Sequence, residues 1–141
     1  MRVAVIATLA ACWLAGPAPA ESPPVTAPPC PTASEIVQRH LLGLWQATFD
    51  GLPQGATLLL EPHPELAQSV RGAINRNGAR ALLAGDVDDG EFTLEESVDG
   101  IHISATWTGS VIDGSCGREI RGDWQGAQDS AARPFVLRKL P

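Results

Sequence analysis

The sequence predicts an all-β protein: an eight-stranded antiparallel up-and-down barrel, connected as a meander, with a short N-terminal helix plugging one end. Three observations carry this reading. From Gly43 onward, apolar and polar residues alternate with the period of two expected of strands buried on one face. Five turn dipeptides, Asp50-Gly51, Asn77-Gly78, Asp89-Gly90, Asp99-Gly100 and Asp113-Gly114, interrupt the alternation in the manner of tight hairpins. Two looser breaks, residues 61–68 and 125–133, bring the connectors to seven and the strands to eight. Short connectors join antiparallel neighbours, and eight strands with one apolar face close into a small barrel.

The elements follow in order. Residues 1–20, MRVAVIATLAACWLAGPAPA, read as a secretory signal peptide: Arg2, an apolar run from Val3 to Gly16, then Ala18-Pro19-Ala20 before a cleavage after Ala20. The run is too short for a membrane span. Within it, Leu9-Ala10-Ala11-Cys12 also matches the pattern that bacterial lipoprotein signal peptidases read. A lipid-anchored Cys12 is therefore the alternative to soluble export. Residues 21–31, ESPPVTAPPCP, form a Pro-rich arm with no apolar periodicity. The barrel domain spans residues 32–141. Thr32-Ala33-Ser34-Glu35 reads as a capping box opening a helix that puts Ile36, Val37, His40 and Leu41 on one face. Strands are expected over residues 44–50, 56–60, 69–76, 79–88, 91–98, 101–112, 115–124 and 134–140.

Two-residue turns predict the register. Asn77-Gly78 sets Ile74 beside Ala81, and Asp89-Gly90 sets Val87 beside Phe92 and Leu83 beside Glu96. Asp99-Gly100 sets Phe92 beside Trp107 and Glu96 beside Ile103. Asp113-Gly114 sets Trp107 beside Ile120 and Ile103 beside Trp124. All four agree on one apolar face, so the other, with Arg71, Asn75, Thr93, Glu95, Thr106, Arg121 and Asp123, faces water and not lipid.

Charge narrows the partners. Sixteen Asp and Glu stand against ten Lys and Arg, giving a net charge of −6, and every acidic residue lies beyond Ala20. Such a chain is a poor match for nucleic acid or an anionic membrane surface. Cleavage after Ala20 leaves two of the three cysteines, Cys30 and Cys116. In an oxidising compartment that pair reads as one disulfide, and neither residue has the close ligand neighbours that a metal site needs.

Strand parity sorts the connectors between two ends. The helix, residues 61–68, Asp89-Gly90 and Asp113-Gly114 share the bottom, where a Cys30–Cys116 bond would strap the arm beneath the barrel. At the top, Arg76 and Glu96 both have the inward phase, in a ring with Phe49, Ile101 and Trp124. An acid and a base at an aromatic mouth suit a polar small molecule; the same two residues also suit a solvated rim in which they meet each other. Phe49, Arg76, Glu96 and Trp124 are accordingly the candidate ligand-binding residues.

Catalysis finds little support. His40, His63 and His102 fall on the helix, the bottom loop and the exterior, with no nucleophile beside them. Glu95 and Glu96 face opposite ways and cannot flank one bond. Residues 86–91, DVDDGE, lack the helices of a calcium loop. The expectation is a non-enzymatic protein with no catalytic residues, no cofactor and no metal.

Gly43-Leu44-Trp45, a Gly-x-Trp opening the first strand after a short helix, resembles the start of lipocalins and avidins, the calycin barrels. Thr106-Trp107-Thr108-Gly109 with Trp124 is similar to the paired strand tryptophans of avidins. The resemblance implies that Trp45 packs at the closed end against an arginine from late in the barrel, Arg138 or Arg118. The chain has no tyrosine, so the lipocalin Thr-Asp-Tyr signature is missing. Gln46 and Ala47 replace the polar residues that follow the first-strand Trp in avidins, so biotin is not implied. In size the chain resembles the small secreted metalloprotease inhibitors of Gram-negative bacteria, eight-stranded barrels whose N-terminal arm enters the protease cleft. Those keep their disulfide within the barrel, whereas Cys30 precedes it. The leader and the mouth point to an exported envelope protein, periplasmic or secreted, that binds a small molecule or a protein partner. The alternative, which the inhibitor resemblance implies, is an inhibitor of exported proteases acting through residues 21–31.

Overall fold

The structure, a computed structural model, describes residues 16–26 and 29–141. Cys12 and most of the leader lie outside the described residues. Eight strands follow one another: β1 (Gly43–Phe49), β2 (Ala56–Pro62), β3 (Ser69–Arg76), β4 (Ala79–Asp88), β5 (Glu91–Ser97), β6 (Ala105–Val111), β7 (Glu119–Gly126) and β8 (Arg133–Lys139). Each pairs antiparallel with the next, and β8 pairs back onto β1, so the sheet is a closed meander barrel.

Alternation explains why these segments fold together. Inward residues such as Trp45, Leu58, Ile74, Leu94, Trp107, Ile120 and Leu137 are wholly buried, while their sequence neighbours face outward. Each face is thus set by parity, and burying the apolar set is the main drive to closure. Rings interlock at the centre: Phe49 and Trp107 lie 5.3 Å apart, Trp107 and Phe135 4.8 Å. Side chains fill the lumen, so the barrel is a packed core and not a calyx.

The register departs from expectation at two of the four turns. Asn77-Gly78 and Asp89-Gly90 each hold both residues at positive φ, the form that matches strand twist, and their pairings are as predicted. At Asp99-Gly100 only the glycine has positive φ. The Asp99 Oδ1 instead accepts the backbone N–H groups of Ile101 and His102 at 2.8 and 2.7 Å, which widens the connection. Leu94 therefore pairs with Trp107, and Glu96 with Ala105. Ile101 and Ile103, predicted to face inward, are exposed in that loop at 81% and 49%. The connection after β6 is also wide: Ser115 N–H bonds to Ile112 O and Arg118 N–H to Ser115 O, with Cys116 and Gly117 at positive φ. Trp107 there pairs with Trp124, and Val111 with Ile120. Both slips are by an even number of residues, so no side chain that stays within the strands changes face.

The bottom is closed from below. The predicted helix is broken into a 3-10 turn, Ala33–Glu35, and a single turn α1, Gln38–Leu41, with Ile36 and Val37 extended between them. Thr32 N–H donates to the Glu35 carboxylate at 2.8 Å, as a capping box should. The break lets Ile36 as well as Leu41 enter the core. Gly117 makes room for Ile36: a Cβ there would lie 2.5 Å from the isoleucine Cδ1, and its φ of +71° disfavours any other residue. Ala33 N–H bonds to Asp113 Oδ1 and the Gln38 amide to Ser69 O, so the segment is tied to two bottom connectors. Cys30 is bonded to Cys116 across 86 positions, with the Cα atoms 5.0 Å apart.

Trp45 corrects a second expectation. Neither Arg118 nor Arg138 stacks on it; the cation over its ring is Lys139, with Nζ 5.8 Å from the centroid. Lys139 Nζ also donates to His40 O, while the Trp45 indole N–H donates to Leu41 O, both at 2.7 Å. Arg138 points outward to Glu119, and Arg118 donates to Lys139 O. Parity is the reason: Leu137 and Lys139 share the inward phase, and Arg138 between them does not.

Candidate functional site at the barrel mouth

Four residues singled out from the sequence, Phe49, Arg76, Glu96 and Trp124, meet at the top of the barrel. Phe49 ends β1, Arg76 ends β3, Glu96 is the last inward residue of β5, and Trp124 is inward on β7. Ile101, the fifth member of the expected ring, is not among them.

Glu96 is the only buried charged or polar residue among those described, at 3% exposure. Both of its carboxylate oxygens are engaged. Arg76 forks onto it, Nη1 to Oε1 and Nη2 to Oε2, the second contact at 2.8 Å. The indole N–H groups of Trp107 and Trp124 donate to Oε2 at 3.2 and 3.3 Å. Oε1 thus has one donor and Oε2 three, and no buried side-chain nitrogen or oxygen among the described residues is left without a partner. The observed register builds this arrangement by setting Trp107 two residues from Ala105, the cross-strand partner of Glu96. The predicted register put Ile103 there and hid the role of Trp107.

Burial alone would raise the Glu96 carboxyl, but the hydrogen bonds and charge of Arg76 and the two indoles more than offset it. The group is held below the usual glutamate range. The carboxylate is buried behind Arg76 and lies below the wall of the mouth. Glu96 therefore acts on Arg76: it anchors the guanidinium under the mouth, 5.6 Å from the Phe49 ring and 5.5 Å from that of Trp124.

Above the ion pair lies a hollow of about 250 Å³. Phe49 and Trp124 form its floor with Arg76, the β1–β2 loop supplies Leu52, Pro53 and Gln54, and Arg133 closes the far side. Arg133 is the site residue that sequence reasoning missed. Its signal is present, since it shares the inward parity of Phe135 and Leu137, but the expected break over residues 125–133 places it in the preceding loop. Its Nη1 donates to Asp50 O at 2.9 Å, which ties the start of β8 to the β1–β2 loop.

The remaining titratable groups lie apart. His102 pairs with Asp99 at 2.7 Å in the exposed β5–β6 loop, and His40 Nδ1 accepts the Val37 N–H. No group of three or more His, Cys, Asp or Glu among the described residues is placed to hold a metal ion. No described helix is long and apolar enough to cross a membrane. The chain matches no protein-family model, and a search of curated proteins finds no relative.

Proposed function

We propose that this is an exported, non-enzymatic binding protein that engages a small ligand or a partner at the mouth of the barrel. One observation carries the reading: the lumen is packed, yet directly above it an ion pair holds an arginine in an aromatic setting beneath an open hollow. A buried pair is weak evidence for stability, because apolar residues of like size usually serve as well. A pair that fixes a guanidinium at a concave surface gains its reason from binding. Export is supported by the leader sequence and by the Cys30–Cys116 bond, which belongs to oxidising compartments. The closed meander and the Gly43-Leu44-Trp45 opening support a calycin-like origin, with the ligand site moved from the lumen to the rim.

Native mass spectrometry of the protein exported with its own leader tests this. A bound small molecule is expected on the wild type and absent from Leu52→Glu, a change at a half-exposed loop position that sets a carboxylate in the apolar wall beside Arg76 and Arg133 and spares the core. The same small molecule retained by Leu52→Glu would move the site elsewhere.

The arm supports a second reading, inhibition of exported proteases. Residues 16–26 are exposed and form no helix or strand, and the following segment is clamped to the barrel at Cys30. A segment clamped at one point meets a protease cleft with part of its ordering cost already met. If so, deleting residues 21–29 abolishes inhibition in a panel of secreted proteases while the melting temperature stays unchanged. Inhibition that survives the deletion would refute it.

A further inference from the structure

The mouth hollow carries information about its ligand. It is smaller than sites for drug-sized molecules, which run to about 300–1,000 Å³, so at about 250 Å³ it suits a group the size of one amino-acid residue. Its wall is mostly apolar, from Phe49, Leu52, Pro53 and Trp124. The charged side chains in that wall are both guanidinium groups, Arg76 and Arg133; Glu96 lies beneath the floor and does not line it.

The two arginines differ in their state. Arg76 is forked onto Glu96 through Nη1 and Nη2, so its charge is balanced, but its side chain remains 31% exposed. A guanidinium has five N–H donors, and this fork uses two of them. Arg133 donates to a backbone carbonyl and, among the described residues, forms no salt bridge. The wall thus has one uncompensated positive charge beside a pre-oriented neutral ion pair, both facing an apolar concavity. A cation would be repelled there. A neutral apolar group would leave Arg133 to be desolvated with no anion, at a cost that a carboxylate removes.

We infer that the mouth hollow receives a carboxylate carried on an apolar body of about one residue, with the carboxylate on Arg133 and the free edge of Arg76, and the body against Phe49, Leu52 and Trp124. This rests on the mouth being the binding face and names the chemistry that face selects. Two sources share that chemistry: a free hydrophobic acid and the C-terminal residue of a polypeptide.

Two-dimensional ¹H–¹⁵N NMR of the full exported chain separates the possibilities, with the Trp124 indole N–H as reporter. The probes are N-acetyl-leucine and N-acetyl-phenylalanine, their amides, and a pentapeptide ending in phenylalanine with a free or an amidated C-terminus. The free carboxylates are expected to shift Trp124 and the 52–54 loop. The amides should bind about tenfold or more weakly, the worth of a charge-assisted hydrogen bond. Arg133→Gln is expected to weaken the acids to the level of the amides and to leave the amides unchanged; if that variant loses the wild-type spectrum, Arg133→Lys replaces it, keeping the charge while losing the fork. A tighter pentapeptide assigns the site to polypeptide termini, and equal affinity assigns it to free acids. Equal binding of acids and amides by the wild type overturns the carboxylate while leaving the mouth as the binding face. Absence of any shift with millimolar probes overturns this inference alone, because the wider reading stands or falls on the bound mass in the native spectrum.

Discussion

Glu96→Ala is expected to lower the unfolding free energy by about 3–5 kcal/mol, the range for removing one member of a buried ion pair. Two losses combine. Arg76 keeps a partly buried charge with no counter-ion, and the Trp107 indole N–H, in a wholly buried side chain, loses its only acceptor. The double variant Arg76→Met with Glu96→Met removes both charges and should recover most of that loss. The recovery stops short of wild type by the cost of the unpartnered indole, about 1–3 kcal/mol. Urea unfolding of the wild type and the two variants decides it, and a double variant no better than Glu96→Ala would mean that the pair itself stabilises. Acid supplies an independent check. The folded-state Glu96 pKa is lowered, so the carboxylate contributes stability that is present above its unfolded pKa, about 4.3, and is lost as pH falls through the folded value. Asp99, held low chiefly by its hydrogen bond with His102, and Glu119, held low chiefly by Arg121, change with the same sign. Only the difference in melting temperature between wild type and the double variant isolates Glu96. That difference should shrink in wild type's disfavour as the solution is taken below about pH 4.

The second large effect lies at the opposite end. Substituting serine for both Cys30 and Cys116 should cost about 4–5 kcal/mol, from the chain-entropy relation for a loop as long as this one. The bond spans 86 positions, so it ties the arm to a connector on the far side of the sequence. Backbone strain refines the expectation. Cys116 has φ of +56°, in the left-handed region that costs a residue with a Cβ about 1–2 kcal/mol. The Cys30→Ser, Cys116→Gly variant should therefore retain more stability than the double serine, though it lacks the same bond. Equal unfolding midpoints for the two variants would show that the strain at Cys116 is absorbed elsewhere. A double serine within 1 kcal/mol of wild type would show that Ile36, Leu41 and the Ala33–Asp113 hydrogen bond hold the base by themselves.

Face was legible in the sequence and register only in part, for a physical reason. Alternation tells which residues share a side, and Phe92, Leu94 and Glu96 share theirs whatever pairs with them. Register depends on turn geometry, and an Asp-Gly dipeptide permits more than one. At Asp89-Gly90 the aspartate itself takes positive φ and the turn is tight. At Asp99 the side chain bonds forward to two backbone N–H groups and builds a wide loop instead. At Asp113 the carboxylate is taken by Ala33, and the chain runs on to bring Cys116 to Cys30. Those contacts reach across the fold, and no local pattern announces them. The candidate site was readable as a set of phases, Phe49, Arg76, Glu96 and Trp124. Its hydrogen bonding was not, because Trp107 joins Glu96 only in the wider register. Arg133 was lost by a strand boundary drawn one residue late, and the cation on Trp45 by taking Arg138 where parity selects Lys139.

The closed barrel has a further consequence in its placement of chain ends. β1 leaves from Gly43 beside the strapped segment, and β8 finishes at Lys139 next to it, where Leu140 N–H bonds to Leu44 O. Both ends of the folded chain thus emerge at one pole, and the mouth opens at the other. A tether at either terminus, whether a lipid, a fused domain or a sensor surface, would hold the molecule like a cup on its stem, rim outward. Attachment and capture then make no demands on the same surface.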